Sequence, residues 1–377
     1  APANVCGAYS RLGGPSEMIT QLGMDPFGDK IIEEFDRYHI GRDYVSRTAE
    51  ANTSLAFVAL KEDGNREFSF YRKPGADMLM SPDRIRREWF EDAFALHFCS
   101  VSIGDFSMKE AHKRAICYAE ETGTLISFDP NLRFALWPSN EELKTAVDEF
   151  LPKANILKIS DEELEFLTGK TEIEDALPQL MQGNVRLVIY TKGSKGAQAF
   201  TASTKAKAAS RKVKAIDTTG AGDAFIGSFL FQLSKDGVSA DTLSELSADQ
   251  LTRYLDFSNR YCGLSVQRNG AIMSYPTLDV MTINEIARLA GVSRATVSRY
   301  LNDGYVSEEK RQILQKVIKD TGYEPSKQAQ NLRKKTTGLI GVIIPRIQSE
   351  SVSRMVAGIS SVLSKEGYQL LLANTQN

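Results

Sequence analysis

The clearest alternation of apolar and polar positions lies in residues 54–72, which read SLAFVALKEDGNREFSFYR. Two segments in which every second residue is apolar flank Asp63 and Gly64, a pair of residues that favours a tight turn. This pattern predicts a β-hairpin.

From Ala95 onward the hydrophobic period changes. Short β-rich runs alternate with helical stretches: LHFCSVS, TLISFD, NILKIS and RLVIYTKG against segments such as MKEAHKRAICYAEETG and NEELKTAVDEFLPKA. This alternation predicts an α/β fold in which helices cover both faces of a parallel sheet. A helix-rich stretch from Asp241 to Gln267 would close the unit, and PTLDV would be its frayed end.

The pattern changes again at Met281, where we expect Thr282 to cap the first of several short, closely spaced helices. Residues 338–344 (GLIGVII) indicate a buried strand, followed by an amphipathic helix around 352–365 and a second strand, YQLLLAN. We therefore predict three regions, 1–280, 281–337 and 338–377. The third region, a single β-α-β unit, is too small for an independent α/β domain, and we expect it to be truncated.

Charge follows the same division. Residues 1–280 contain 32 basic and 40 acidic side chains, for a net charge of −8, whereas residues 281–377 contain 14 and 8, for a net charge of +6. A basic region after an acidic one suggests separate partners, with nucleic acid as the partner of the basic region.

The remaining composition argues against several classes of site. Four scattered cysteines form no metal-binding pattern, and we expect reduced, buried thiols at Cys6, Cys99, Cys117 and Cys262. The three histidines, at 39, 97 and 112, belong to no recognisable motif, which argues against histidine-based catalysis. No apolar run is long enough to cross a bilayer, so we expect a cytoplasmic protein that does not associate with membranes.

The strongest chemical signal is DTTGAGDAF, residues 217–225. Gly220, Ala221 and Gly222 keep side chains away, so that backbone N–H groups at a helix N-terminus can surround an anion. Asp223 would then lie in the first helical turn, where its carboxylate could accept a proton from an attacking hydroxyl. Alone, the string could equally be a tight strand-to-helix turn.

The complete string resembles the C-terminal signature of the ribokinase-like (PfkB) carbohydrate kinases, and the resemblance extends over the first 280 residues. It implies a ribokinase-like α/β sandwich with a small β-lid formed by the hairpin. APANV matches the family's sugar-binding segment, with Asn4 as its asparagine. SDEELEFLTG matches the family's NxxE segment, with Glu163 helping to organise Mg²⁺ through water; Ser160 stands where asparagine is usual.

The resemblance also implies ATP and a monovalent cation, K⁺, as cofactors. The residues that match the nucleotide side are Thr191, Gly193, Gly196 and Asn259. Those that match the monovalent-cation loop are Asp217, Thr219, Ser265, Arg268, Gly270 and Ser274.

The expected substrate is a sugar, with D-fructose giving fructose 6-phosphate favoured over ribose and 2-keto-3-deoxygluconate. The segments FYRKPGADM and FDPNLRFALW resemble fructokinases. They supply the candidate sugar and phosphate contacts Arg72, Asp129, Asn131 and Arg133. Alternatively, Asp129 and Arg133 could form a structural pair at a strand end.

One departure from the family concerns the start. A central strand with a sugar-binding aspartate, a lid strand and two glycines normally precede the segment that matches APANV, and the sequence does not contain them. We therefore expect weak or no catalysis. The alternative is that the sequence is a truncated copy of that of an active enzyme, which would show the same departure.

Residues 282–302, TINEIARLAGVSRATVSRYLN, fit a helix, a turn at Gly291 and a second helix capped by Ser293. A generic helical bundle is the alternative. Together with the next helix and SKQAQNLRKKTTGLIGVIIP, the block resembles the lactose-repressor (LacI) family headpiece and hinge. The resemblance implies operator DNA as partner, bound as a homodimer through Arg294, Ala295, Thr296, Ser298, Arg299, Ala329 and Leu332, with phosphate contacts from residues 333–335.

Three interpretations of the whole chain remain open: a sugar kinase fused to a DNA-binding segment, a transcriptional repressor of a sugar-utilisation operon, and a read-through product of two neighbouring genes. PTLDV runs directly into MTINEI, without a recognisable linker.

Overall fold

The computed structural model describes residues 1–60, 66–302, 304–321, 339–344 and 369–374, with a few single positions between 355 and 362. The chain divides into two compact units, Ala1–Leu278 and Asp279–Asn377. In the part that is described, no helix is both long and apolar enough to cross a membrane.

The first unit opens with a helix and two small sheets. The elements are α1 (Pro2–Arg11), β1 (Thr20–Gly23), α2 (Pro26–Arg37), β2 (Val45–Thr48), β3 (Leu55–Leu60) and β4 (Arg66–Tyr71). Strands β1 and β2 pair in parallel, whereas β3 and β4 pair antiparallel with Leu55 opposite Tyr71. The predicted hairpin is therefore confirmed, and it forms the small lid sheet.

The main sheet has six strands in the order β10-β9-β8-β7-β6-β5. They are β5 (Ala95–Cys99), β6 (Leu125–Asp129), β7 (Ile156–Ser160), β8 (Leu187–Thr191), β9 (Ala197–Phe200) and β10 (Lys205–Ala208). Strands β5 to β8 are parallel, as predicted, but β9 and β10 run antiparallel to their neighbours. The five residues between β8 and β9 are too few for a parallel crossover, so the sheet is mixed.

Helices cover both faces of this sheet. They are α3 (Ser107–Thr122), α4 (Asn140–Phe150), α5 (Asp161–Thr168), α6 (Ile173–Leu180), α7 (Ala221–Lys235) and α8 (Ala248–Ser265). On one face Phe98 stacks on Phe128 with ring centroids 4.7 Å apart, and Phe150 packs edge-on to Phe98. On the other face α7 packs against α1 and α8, which explains why ten of its fifteen residues are buried.

The second unit contains α9 (Leu278–Leu289), α10 (Arg294–Leu301) and α11 (Glu308–Thr321). Gly291 adopts a φ of +62° in the turn, and the Ser293 hydroxyl accepts the Thr296 N–H at 3.2 Å, so the predicted turn and cap are confirmed. The cap at Thr282 is wrong. Helix α9 begins at Leu278, so Thr282 lies inside it and part of PTLDV is helical.

After these helices, β11 (Leu339–Ile344) and β12 (Gln369–Asn374) form a parallel pair, as the β-α-β prediction requires. Most of the helix expected around 352–365 lies outside the described residues.

The four cysteines are free thiols. Cys99 is buried, and Cys6 and Cys262 are half-buried. The expectation that all four are buried is wrong for Cys117, which is exposed on the outer face of α3.

Candidate active site

The glycine loop, residues 220–222, turns the chain into the N-terminus of α7. Gly220 has a φ of +73°, and a Cβ on it would lie 2.5 Å from the Tyr275 hydroxyl, so no larger residue fits. The Ala221 N–H donates to the Thr218 carbonyl at 3.1 Å and serves the turn. Gly222 and Asp223 follow in the first helical turn, where backbone N–H groups and the helix dipole favour an anion.

Asp223 is buried, and two asparagine side chains fix the orientation of its carboxylate. The Asn4 amide in α1 donates to Oδ2 at 2.8 Å, and the Asn131 amide, in the loop after β6, donates to Oδ1 at 3.3 Å. Asn131 has a φ of +43°, a conformation that asparagine tolerates better than most residues. Each oxygen of the carboxylate therefore has a hydrogen-bond donor of its own.

A buried ion pair lies beside this carboxylate. Lys158 in β7 donates to Oδ2 of Asp129, the last residue of β6, at 2.8 Å, and both side chains are almost completely buried. Burial raises the pKa of Asp129 to about 6, although Lys158 opposes the shift. Burial alone would lower the pKa of Lys158, but the carboxylates of Asp129, Glu163 and Asp223 outweigh it and raise that pKa, so Lys158 stays protonated.

Glu163 joins the start of α5 to the loop after β6. Its Oε2 accepts the Ser160 N–H at 2.9 Å and the Ser160 hydroxyl at 2.8 Å, and its Oε1 accepts the Leu132 N–H at 2.9 Å. Ser160 is thus the N-cap of α5, and the Glu163 side chain reaches back to it. The same contacts hold Glu163 at the wall of a cavity.

We call this cavity the transfer cavity; its volume is about 210 Å³. It brings together the residues that the sequence predicted for catalysis and most of those predicted to contact the sugar and the transferred phosphate. The predicted residues that line it are Asp129, Asn131, Arg133, Ser160, Glu163, Gly220, Ala221, Gly222 and Asp223. Asn4 reaches it through its hydrogen bond to Asp223.

Two substrate predictions come out differently. Arg72 pairs with Asp77, donates to the Val101 carbonyl at 2.8 Å and lines a separate cavity of about 720 Å³, so it is not placed with Asp223. The suggested pairing of Asp129 with Arg133 is wrong. Asp129 binds Lys158 instead, and Arg133 donates to the neighbouring Leu132 carbonyl.

The residues predicted for the nucleotide side cluster around the end of β10. Gly196 has a φ of +98°, and a Cβ on it would collide with the Ala208 carbonyl. The Asn259 amide donates to the same carbonyl at 3.0 Å. Thr191 ends β8 opposite Ser160, and Gly193 follows it with a φ of +50°. These residues lie on the β8–β10 side of the transfer cavity.

One carboxylate links two of the residues predicted for the monovalent-cation loop. Asp217 accepts the Thr219 N–H at 2.8 Å and the Gly270 N–H at 2.9 Å, so it connects two loops. Three further contacts fold the second loop on itself: the Arg268 N–H to the Ser265 carbonyl, the Ser265 hydroxyl to the Cys262 carbonyl, and the Ser274 hydroxyl to the Ala271 carbonyl.

Sequence reasoning missed two residues of this site. Tyr275 is fully buried and donates to the Gly220 carbonyl at 2.8 Å, which fixes the glycine loop from behind. Lys158 was signalled by its position, because a lysine inside the apolar run NILKIS must be paired once the strand is buried. Nothing local to Tyr275 in the sequence indicates its contact.

In the second unit the recognition helix α10 exposes part of its predicted surface. Arg294, Ala295 and Arg299 are exposed, and Ser298 is half-buried. The prediction that Thr296 faces solvent is wrong, because it is buried and its hydroxyl hydrogen-bonds Ser293 at 2.8 Å. Ala329, Leu332 and residues 333–335 lie outside the described residues.

Comparison with known proteins divides the chain in a similar way. The profile of the pfkB family carbohydrate kinases matches residues 1–278, and that of the bacterial regulatory proteins of the lacI family matches residues 282–326. The chain is 38% identical over 278 residues to probable fructokinase-5 of Arabidopsis thaliana, covering 74% of this chain and 84% of the relative.

Comparison with solved structures also finds fructokinases, over about three quarters of this chain. Fructokinase with bound ATP from Xylella fastidiosa is 33% identical with a TM-score of 0.71, covering 75% of this chain and 89% of that one. Fructokinase from Vibrio cholerae O395, in a form with fructose, ADP and calcium ion bound, is 32% identical with a TM-score of 0.68, covering 74% of this chain and 89% of that one.

Proposed function

Because residues 1–278 make the chain a member of the pfkB family of carbohydrate kinases, we propose that this sugar kinase transfers the γ-phosphate of ATP to D-fructose. The product would be fructose 6-phosphate. The observation that carries the proposal is the position of Asp223, a carboxylate held by two amides at the helix N-terminus that borders the transfer cavity.

In the proposed reaction Asp223 is the general base. It accepts the proton of the attacking sugar hydroxyl as that oxygen bonds to the γ-phosphorus, and the bond to the β-phosphate oxygen breaks to release ADP. Asn4 and Asn131 orient the carboxylate. The glycine loop and the N-terminus of α7 stabilise charge on the transferred phosphoryl group.

A divalent cation, Mg²⁺, fits this site through water. In the described chain, no group of three or more metal-binding side chains could hold an ion alone, and both oxygens of Glu163 already accept hydrogen bonds. Mg²⁺ ordinarily keeps several waters and is held by few carboxylates together with substrate phosphates. Glu163 would hold such waters, and the ion would neutralise phosphate charge.

ATP and the monovalent cation complete the proposal. Gly196 and Asn259 meet at the end of β10, and Thr191 and Gly193 lie at the end of β8, where small residues would let backbone approach the nucleotide. K⁺ suits the loop of Asp217, Thr219, Ser265, Arg268, Gly270 and Ser274, because this loop offers carbonyl and carboxylate oxygens.

Fructose is favoured as the acceptor because the relatives compared above are named fructokinases. Asn131 and Arg133 lie in the transfer cavity and are available to sugar or phosphate oxygens. Ribose and 2-keto-3-deoxygluconate are the competing acceptors. Arg72 would act through the lid, since it connects the end of β4 to Asp77 and Val101.

Residues 282–326 are a lacI-family DNA-binding segment fused to the kinase. We propose that Arg294 and Arg299 contact operator DNA from the exposed face of α10 and that two copies bind as a homodimer. An enzyme that uses ATP and is joined to a DNA-binding segment would act in the cytoplasm. The proposed domain limits remain 1–280, 281–337 and 338–377.

The experiment that tests the kinase proposal is ATP consumption by the purified chain with fructose, with ribose and without sugar. Asp223→Asn should abolish fructose-dependent turnover. The matched control is Asp249→Asn, which alters an exposed aspartate in the first turn of α8 and should leave turnover unchanged. Ribose-dependent turnover that exceeds the fructose rate would refute fructose as the acceptor, and turnover by Asp223→Asn would refute the base.

A further inference from the structure

Lys158 is a buried cation that points at the reacting end of the transfer cavity. It is the third residue of β7, its side chain is 6% exposed, and it lines the cavity together with Asp223. A Cβ built on Gly222 would lie 3.4 Å from its Nζ, so the ammonium faces the glycine loop at close range. A buried lysine needs a partner, and Asp129 supplies it at 2.8 Å.

The charges around the cavity indicate that Lys158 does more than form an ion pair with Asp129. Asp129, Glu163 and Asp223 bring three buried carboxylates to the cavity that would receive a phosphoryl group. The other basic residue of the lining, Arg133, is exposed and donates to a backbone carbonyl. Lys158 is therefore the buried cation among the lining residues, and it lies between the carboxylates and the glycine loop.

We propose that Lys158 is a catalytic residue whose ammonium binds the transferred phosphoryl group, and that Asp129 is a positioning residue that holds it there. This inference rests on the proposed kinase function. Asp129 then acts through Lys158 rather than as a ligand of the sugar. The lysine has three donors, so one hydrogen bond to Asp129 leaves two for phosphate oxygens. Because the pair is preassembled, its charge needs no reorganisation during transfer.

A purely structural ion pair is the competing explanation, and a double-mutant cycle separates the two. Lys158→Met removes the charge at similar length, Asp129→Asn removes its partner, and the double variant removes both charges. If the pair is only structural, the double variant should regain most activity, because no unpaired buried charge remains. If Lys158 binds the phosphoryl group, the double variant stays as slow as Lys158→Met.

We expect kcat of Lys158→Met to fall by roughly 100- to 1,000-fold, as for loss of one preorganised donor to a developing charge. The KM for fructose should change less than about threefold, because the sugar is bound equally well before transfer. Asp129→Asn should be less severe, and Lys158→Arg should recover part of the loss. Lys170→Met, at an exposed lysine after α5, is the control and should match the wild type.

Binding gives a second readout that does not depend on turnover. Affinities for ADP alone and for ADP with fluoroaluminate, in the presence of fructose and Mg²⁺, should be measured by calorimetry on the full chain. Lys158→Met should weaken the fluoroaluminate complex by at least about tenfold and leave ADP binding nearly unchanged, since only the complex mimics the phosphoryl group. If Lys158→Met misfolds, Lys158→Gln takes its place.

The outcomes distinguish this inference from the proposed function. Suppose the wild type turns over. If Lys158→Met then keeps a near-normal kcat, or if the double variant recovers activity, only the proposed role of Lys158 is overturned, and the kinase function stands. If the wild type does not turn over, but Lys158→Met binds the fluoroaluminate complex more weakly than the wild type does, the proposed role of Lys158 is still supported. A wild-type chain that binds neither ADP nor the complex overturns both proposals.

Discussion

Asn4 donates a hydrogen bond to Asp223 at 2.8 Å, although 219 positions of sequence separate the two residues. The contact joins α1 to the first turn of α7, and these two helices pack directly against each other. The Asp223 carboxylate is therefore oriented by tertiary packing rather than by its own loop. A second amide, from Asn131, holds its other oxygen.

This relationship predicts a specific defect in Asn4→Leu. Loss of one hydrogen bond to a charged group is worth about 1.5–3 kcal/mol, so kcat should fall by roughly 10- to 100-fold. Steady-state kinetics with fructose checks this, with Asn140→Leu at the exposed start of α4 as the control. A rise in the KM for fructose at normal kcat would instead identify Asn4 as a sugar ligand only.

The glycine loop predicts a large cost for Gly220→Ala. The φ of +73° disfavours any residue with a Cβ, and that Cβ would meet the Tyr275 hydroxyl, so we expect a loss of at least about 2 kcal/mol in the free energy of unfolding. Tyr275→Phe alone should cost about 1 kcal/mol through its lost hydrogen bond to Gly220.

Both tryptophans, Trp89 and Trp137, belong to the first unit, so denaturant titrations followed by tryptophan fluorescence report on this unit. The double variant of Gly220 and Tyr275 should be less unstable than the sum of its parts, because loss of the Tyr275 hydroxyl relieves the collision. A Gly220→Ala protein as stable as the wild type would contradict the assigned backbone conformation.

Buried His112 predicts sensitivity to acid. Burial lowers its pKa to about 4, and its Nε2 hydrogen-bonds the Ser102 hydroxyl at 2.8 Å. The unfolded chain binds a proton near the ordinary pKa of about 6.5, so stability is full above that pH and falls as pH drops toward 4. Between pH 7.5 and pH 5 this group should cost about 2 kcal/mol.

The measurement is the free energy of unfolding of the wild type and of His112→Gln at both pH values, again by tryptophan fluorescence. His112→Gln should lose about 2 kcal/mol less than the wild type between them, whatever its stability at pH 7.5. An equal loss in both proteins would show that His112 does not control this dependence.

The exposed arginines of α10 predict the behaviour of the second unit toward DNA. Arg294→Ala and Arg299→Ala should each weaken binding to duplex DNA and reduce the salt slope of the binding constant by about one. Lys310→Ala, at an exposed residue of α11, is the control. Fluorescence anisotropy over a range of salt concentrations measures the slope, and an unchanged slope in both arginine variants would exclude this face as the DNA-binding surface.

Local patterns were enough to predict much of the fold. Alternating residues around Asp63 and Gly64 gave the hairpin, and the DTTGAGDAF string gave the turn into α7 with Asp223 in its first helical turn. The turn at Gly291 and the cap at Ser293 followed from residue types with strong conformational preferences. In each case a few neighbouring residues determine the structure.

Features that depend on distant neighbours were not predicted. The ion pair of Asp129 was missed because its partner, Lys158, lies on the next strand of the sheet. Thr296 was assigned to the surface that faces DNA, but packing of the helices of the second unit buries it. The start of α9 was also misplaced: the helix begins at Leu278, four residues before the predicted cap at Thr282.

The packing of α1 against α7 also bears on how the protein is made. Ribosomes add roughly 5–20 residues per second, so Asp223 leaves the peptidyl-transferase centre about 10–40 s after Asn4. During that interval the apolar residues of α1, including Val5 and Ala8, lack the helix that buries them. Slower translation would lengthen the interval during which this face of α1 is exposed.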